Sequence, residues 1–278
     1  MNLSETCQTL EVSRSGYHAH HQQKSGRKRR VQDVALSLEV QQAFADGRQV
    51  YGSPRIMHVL RQKGRRHGKN RIARLMREQG LHVRQKRRFV PRTTVTDKTS
   101  TVAPNHLLTR PPVQHLNEVW LTDITYLHTR EGCLYLAAEM DLCSRRIVGW
   151  STLDSLATQL PAQALERALQ ARDLSRHSLL HHSDRGCQYT SAEFRQHLDQ
   201  HGITQSMSRK ANCYDNATME SFWATLKAEC FGTTLPDTRA QARSMVFDYI
   251  ETFYNPTRLH SALNFLSPVS FEQTIQNN

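Results

Sequence analysis

Residues 119–127 read VWLTDITYL, an apolar run with one aspartate, Asp123, at its centre. Val, Ile, Trp, Tyr and Thr favour extended backbone, so the run reads as a strand. Two similar runs follow at short intervals, residues 133–142 (CLYLAAEMDL) and 146–152 (RIVGWST), as in a three-stranded meander. Beyond them the pattern predicts a helix over 161–172, a buried strand over 178–183 (SLLHHS) and a helix over 192–202. A short strand at 203–207, a long helix at 216–230 and a last helix at 240–253 before a proline-containing tail complete the reading. The order βββαβαβα is that of a mixed α/β sheet whose helices follow an antiparallel start.

Within this frame five acids compete for attention. An unpaired charge inside an apolar strand costs on the order of several kcal/mol, so folding alone does not account for Asp123. Asp184 ends the 178–183 strand and is followed by Arg185 and Gly186, a turn that leaves its carboxylate at the strand's C-terminal edge, where ligands of open sheets gather. Glu220 lies on the long helix beside the apolar stripe Met219, Phe222, Leu226 and Cys230, sharing a face with Asn216, Trp223 and Lys227. Asp141, ending a strand, and Asp215, near the start of the long helix, are rivals, and periodicity does not choose among the five. Three carboxylates gathered by two strands and a helix would repel one another unless hard divalent cations such as Mg²⁺ bound there. Two such ions about 4 Å apart can activate an attacking oxygen and stabilise a leaving one in phosphodiester displacement.

The N-terminal region has a different character. Residues 1–110 contain 23 Lys and Arg against 7 Asp and Glu, whereas the remainder contains 14 against 18. The whole positive excess of +12 therefore belongs to the N-terminal region. Blocks such as 24–30 (KSGRKRR), 61–71 (RQKGRRHGKNR) and 84–88 (RQKRR) suit phosphate neutralisation and counterion release. Residues 1–23 read as a short helical pair broken at 11–13. From 31 to 80 apolar residues recur at helical spacing (Val34, Leu36, Leu38, Val40, Phe44; Ile56, Val59, Leu60; Ile72, Leu75, Met76), with breaks at Gly52 to Pro54, 64–69 and Gly80. The expected organisation is a basic, helix-turn-helix-like region over 1–90, a Thr-, Ser- and Pro-bearing linker over 91–114, and an α/β unit with a C-terminal helical extension over 115–278.

No run approaches the roughly 20 apolar residues of a membrane span, and the N-terminus lacks a secretory signal, so a cytoplasmic, nucleoid-associated location is expected. The six cysteines are scattered without a C-x-x-C pair, which fits buried free thiols better than a disulfide framework or zinc site.

Three stretches carry a family resemblance: WLTDITYL around Asp123, HHSDRGCQYTS around Asp184 and NCYDNATMESFWATLKAEC around Glu220. They resemble the integrase core of bacterial insertion-sequence transposases of the IS-three type, in particular their second reading frame, OrfB. The 35 residues between Asp184 and Glu220 match that family's spacing, and that of retroviral integrases. YIETFYNPTRLHSALNFLSP resembles the family's ending, and YGSPRI with RIARLMREQGL its helix-turn-helix-like segment. The resemblance implies a ribonuclease-H-like fold and a DDE site at Asp123, Asp184 and Glu220, holding Mg²⁺, with Mn²⁺ as a substitute, in two positions. It implies DNA cleavage and strand transfer at insertion-sequence ends by 3′-OH generation and direct transesterification.

Lys227, Asn216, His182, Gln188 and Tyr189 match motif positions near DNA, and Arg61, Arg65, Arg66, Arg71 and Arg74 supply basic positions in the N-terminal region. Expected partners are element-end and target DNA, further copies of the chain on that DNA, and an upstream OrfA product, separate or fused as OrfAB. This chain shows no sustained heptads of its own. The alternatives are a regulatory DNA-binding copy that ignores Mg²⁺ and a nuclease of the same fold that only hydrolyses.

Overall fold

The computed structural model describes residues 2–83, 102–174, 178–209 and 216–277, with backbone alone over 22–31. It forms two compact units, Met1–Val83 and Arg84–Asn278. Asp215, Cys213 and residues 91–101 of the expected linker lie outside the described residues.

The first unit is helical: α1 (Leu3–Thr9), α2 (Arg14–Asp46), α3 (Ser53–Gln62) and α4 (Lys69–Glu78). The expected break at 11–13 is present, but the separate helices expected before and after residue 30 are one continuous α2 of 33 residues. The intervening QQKSGRKRR contains no proline, and its single glycine costs a helix only about 1 kcal/mol. Leu36, Val40 and Ala43, spaced at i, i+4 and i+7, meet Ile56, Leu60, Ile72, Leu75 and Met76 in a core. Val34 and Leu38, expected in that core, lie on the outer side of α2 at 65% and 64% exposure. Pro54 sits in the first turn of α3, where its missing N–H costs nothing. Gly80 takes φ +66° just beyond α4, the left-handed conformation that ends helices.

The second unit is built on five strands in the order β3-β2-β1-β4-β5: β1 (Val119–Thr129), β2 (Gly132–Asp141), β3 (Ile147–Leu153), β4 (Leu180–Ser183) and β5 (Thr204–Met207). The first three form the predicted antiparallel meander, and β4 and β5 add in parallel. That topology is the ribonuclease-H-like sheet. Helices α5 (Gln159–Ala171), α6 (Cys187–Thr190) and α7 (Ala192–Gln200) follow the strands. Trp120 and Val148 bury one sheet face against Leu165, Ala168, Phe194 and Leu198 of α5 and α7. Gly149 on β3 makes this approach possible, because a Cβ there would lie 2.3 Å from the Ala164 carbonyl oxygen. Strand alternation turns Asp123 to the opposite face.

Helix α8 (Ala217–Leu226) continues as a π-helical turn over Lys227–Phe231, and α9 (Arg239–Phe247) continues likewise over Asp248–Tyr254. The tail contains a helix the pattern reading missed, α10 (Pro268–Gln276), opened by Pro268 and capped by Ser267. Residues 102–110, read as linker, run against the sheet. Val102 and Ala103 pack on its core, Met207 N–H donates to the Pro104 carbonyl at 3.4 Å, and His106 N–H donates to Ser206 Oγ at 3.0 Å. No helix among the described residues is long and apolar enough to cross a membrane. The five described cysteines are free thiols, of which only Cys7 is buried.

Candidate active site

Strand register brings the two aspartates together. Leu121 of β1 pairs with His182 of the parallel β4, so counting two residues on along each strand brings Asp184 level with Asp123. Neighbouring strands lie about 4.8 Å apart, which sets the two carboxylates side by side at the edge where β4 ends. Asp123 Oδ1 accepts the Ile124 N–H at 2.8 Å, and its Oδ2 accepts the indole N–H of Trp223 at 3.0 Å. Asp184 Oδ1 accepts the Gly186 N–H at 2.9 Å, which closes the turn after β4. Burial first, then the charge of Asp184 and, least, that of Glu220 push the Asp123 carboxyl up to about 7, while the Ile124 and Trp223 hydrogen bonds pull it down.

Glu220 lies in the first turn of α8, solvent-exposed, with partial burial raising its carboxyl. Two contacts tether α8 to β1 on either side of it: Asn216 Nδ2 to the Thr122 carbonyl at 3.3 Å, and Trp223 to Asp123. Among the described residues no three His, Cys, Asp or Glu side chains are drawn tightly enough together to enclose an ion. The donor set nonetheless fits a hard divalent cation. It consists of carboxylate oxygens alone, and the mutual repulsion that raises Asp123 is what a cation relieves.

The rival Asp141 is a fold residue. It is fully buried and accepts hydrogen bonds from Asn117 N (2.6 Å), Ser144 N (2.8 Å) and Ser144 Oγ (3.1 Å). Ser144 in turn donates to Glu272 of α10, which Arg146 and Arg172 also hold.

Three motif residues expected at DNA point inward. His182 is fully buried, its Nδ1 2.9 Å from Ser206 Oγ and its Nε2 3.1 Å from Ser208 Oγ, so it ties β4 to β5. Gln188 is buried and donates to the Leu156 carbonyl. Tyr189 belongs to the core between the sheet and α7, its hydroxyl 3.2 Å from Thr122 Oγ1. Asn216 is also buried, as the tether of α8 just described. Lys227, half-buried at the start of the π turn, places its ammonium 4.8 Å from the centre of the Tyr126 ring. Burial pushes it down, and the charge of Asp123 partly restores it.

In the N-terminal unit, Arg71 and Arg74 both bind Asp33 of α2, at 2.7 and 2.6 Å, and Arg65 pairs with Glu39 at 3.2 Å. Their charge is therefore partly committed within the unit. Arg61 and Arg66 are exposed and make no ion pair among the described residues.

Trp223 is the functional neighbour that residue patterns did not single out. Its signal was only the shared face with Glu220, one helical turn away.

The fold and this arrangement define a DNA-processing enzyme of the integrase-core class. Residues 114–213 and again 201–268 match the integrase core domain family, and residues 31–89 match an HTH-like domain. The chain is 40% identical over 267 residues to the 31 kDa protein of insertion element IS600 from Shigella sonnei, covering 96% of this chain and 97% of that one. It is 38% identical over 272 residues to the transposase InsF of insertion sequence IS3A from Escherichia coli K12, covering 98% and 94%. The HTLV-2 integrase catalytic core solved with magnesium is similar at 14% identity and a TM-score of 0.42, covering 58% of this chain and 99% of that one. The chain belongs to the IS3 family of insertion-sequence transposases, and is a DNA transposase with a DDE-type integrase core.

Proposed function

We propose that Asp123, Asp184 and Glu220 form the divalent-ion site at which this transposase cleaves insertion-sequence ends and joins them to target DNA. The observation that carries the reading is the register of β1 on β4, which leads Asp123 and Asp184 towards each other two residues beyond the Leu121 and His182 pair, with Asp123 driven up to about 7 by burial and by its neighbour's charge. Mg²⁺, with Mn²⁺ as a substitute and two ions as the full complement, would be held by these carboxylates. Bound there, it supplies positive charge against the attacking and leaving oxygens of a phosphodiester.

The chain's own residues do the rest. Asp123 and Asp184 are fixed by strand register and by backbone N–H donors, so their oxygens are aimed before substrate arrives. Lys227 stands over Tyr126 on the side of Asp123, where its ammonium faces a phosphate laid across the carboxylates. Water attacks the phosphodiester at the element end and frees a 3′-OH. That hydroxyl attacks a phosphodiester of the target, forming the new phosphodiester as the target strand's own 3′-oxygen leaves as a 3′-OH, with no covalent link to protein. Arg61 and Arg66 contact phosphates without an internal partner to give up, whereas Arg65, Arg71 and Arg74 must share theirs. Two ends held together require more than one copy of the chain on DNA, assisted by the upstream OrfA product.

The test is strand cleavage and joining of labelled element-end DNA by full-length Asp123→Asn, Asp184→Asn and Glu220→Gln variants. Each should lose nicked and joined products while keeping end binding. Near-normal joining by any of them removes that residue from the site, and cleavage without joined product by the wild type would favour a purely hydrolytic enzyme.

A further inference from the structure

We propose that Trp223 is a positioning residue of the divalent-ion site: its indole N–H fixes the Asp123 carboxylate and ties it to the helix that carries Glu220. The inference rests on the reading of Asp123, Asp184 and Glu220 as that site.

Among the described residues Asp123 has one hydrogen-bond partner at each carboxylate oxygen. The Ile124 N–H at Oδ1 is part of its own strand, so Trp223 at Oδ2 is the only side-chain donor it meets among the described residues. The donor is rigid. Trp223 is 6% exposed, its ring 4.8 Å from that of Phe222, which itself stands 4.9 Å from Tyr254. An indole has two side-chain torsions and no charge, so it loses little freedom in holding this geometry.

The chemistry of the donor suits a metal ligand. An indole N–H only donates, and an ionised carboxylate oxygen offers about two acceptor directions, so Oδ2 keeps one free for a cation. An arginine or lysine here would orient the carboxylate too, but would also neutralise it and compete with the ion. Trp223 orients without discharging. Its place on α8 adds a second effect. Asn216 holds the Thr122 carbonyl and Trp223 holds Asp123, so consecutive residues of β1 are bound to points on α8 four residues before and three residues after Glu220. The lateral position of Glu220 against β1 is thereby set.

The experiment measures Mn²⁺ binding to the DNA-free full-length protein, by the electron paramagnetic resonance signal of free Mn²⁺. Wild type, Trp223→Phe and a chain with benzothienylalanine at 223 are compared. The last keeps the bicyclic shape and replaces N–H by sulfur, so it decides the matter if the Phe variant folds poorly. Loss of a group that orients a metal ligand typically weakens binding about ten- to hundredfold, and that loss is expected for both variants. Their thermal midpoints should change little for the isostere, and at saturating Mn²⁺ the joining rate should fall with little change in KM for end DNA. Wild-type Mn²⁺ affinity in the isostere overturns the proposal. Asp123→Asn and Asp184→Asn are run alongside: if they too bind Mn²⁺ like wild type, it is the assignment of the ion site that fails.

Discussion

Arg258→Met should destabilise the catalytic unit far more than an ordinary substitution in a loop. Arg258 follows α9 and its π-helical continuation and is almost fully enclosed, with 5% of its side chain exposed against 10% for its partner Glu229. The pair is bidentate, Nη2 to Oε1 and Nε to Oε2, both at 2.6 Å, and the Tyr249 hydroxyl donates to Oε2 at 2.8 Å. Burial works against the guanidinium charge, but the Glu229 carboxylate outweighs it and raises Arg258 above its usual range. Removing the arginine leaves a buried carboxylate with Tyr249 as its remaining donor, and breaking such a pair from one side costs roughly 3–5 kcal/mol. For a domain of this size that is a fall in Tm of roughly 6–20 °C. Thermal and urea unfolding of the single variants Arg258→Met and Glu229→Gln and of the double variant measure the coupling. The double variant, with no charge left unpaired, should recover at least about 2 kcal/mol relative to the sum of the singles. A single Arg258→Met variant within about 1 kcal/mol of wild type, or strict additivity, would refute the reasoning.

Three further outcomes are expected. Gly149→Ala places a Cβ 2.3 Å from the Ala164 carbonyl and 2.6 Å from Ala168 N, both backbone atoms of α5, so stability should drop by about 3 kcal/mol in urea unfolding; an unchanged midpoint would mean that α5 shifts freely. In EDTA, the raised Asp123 carboxyl makes the folded chain bind more protons than the unfolded one between about pH 4 and 7, so its contribution to stability is present below that window and lost as pH rises through 7. Melts at pH 5 and 8 should show that decline in wild type and not in Asp123→Asn, and equal slopes would reject the value. Asp33→Asn should free Arg71, leave Arg74 only its exposed pair with Glu78, and strengthen non-specific duplex binding, with a steeper fall of log K against log salt; unchanged affinity and slope would show that neither arginine reaches phosphate.

What could be read from residues alone was local. The meander was legible because β1, β2 and β3 follow one another and each is an unbroken apolar run, and Asp123 stood out because such a run has no use for a charge. Asp141 stood out as its rival because it ends a strand. What separates the two is a set of partners distant in sequence: Asn117, 24 residues earlier, satisfies Asp141, and its neighbour Ser144 reaches Glu272 far down the chain. The HHSDRGCQYTS motif misled in the same way. Proximity to Asp184 in sequence suggested DNA contacts for His182, Gln188 and Tyr189, yet Ser206 and Ser208 enclose His182, and α6 turns Gln188 and Tyr189 into the interior. Residue patterns also missed the continuity of α2, since a run of polar and basic residues carries no periodic signal whether or not it is helical.

The C-terminal YNPTRLH stretch gains a physical role from this arrangement. Asn255 donates its amide N–H to the Ile147 carbonyl and accepts the Ile147 N–H, each at 3.0 Å, so it binds the start of β3 at the sheet's outer edge. Three residues later Arg258 grips Glu229, which lies in the π turn that begins at Lys227. A π turn adds a residue to the helical cycle and is seldom maintained without outside contacts. Here those contacts come from Arg258 and Tyr249, so the direction in which Lys227 leaves α8 depends on a segment about thirty residues further on. Lys227 stands over Tyr126, and Tyr126 lies on β1 three residues past Asp123. The tail thus acts on the site from two sides, bracing the sheet that carries the aspartates and shaping the helix that carries Glu220. Activity lost in Arg258→Met should therefore exceed the loss of folded protein, because the chains that remain folded still lack the clamp on Glu229.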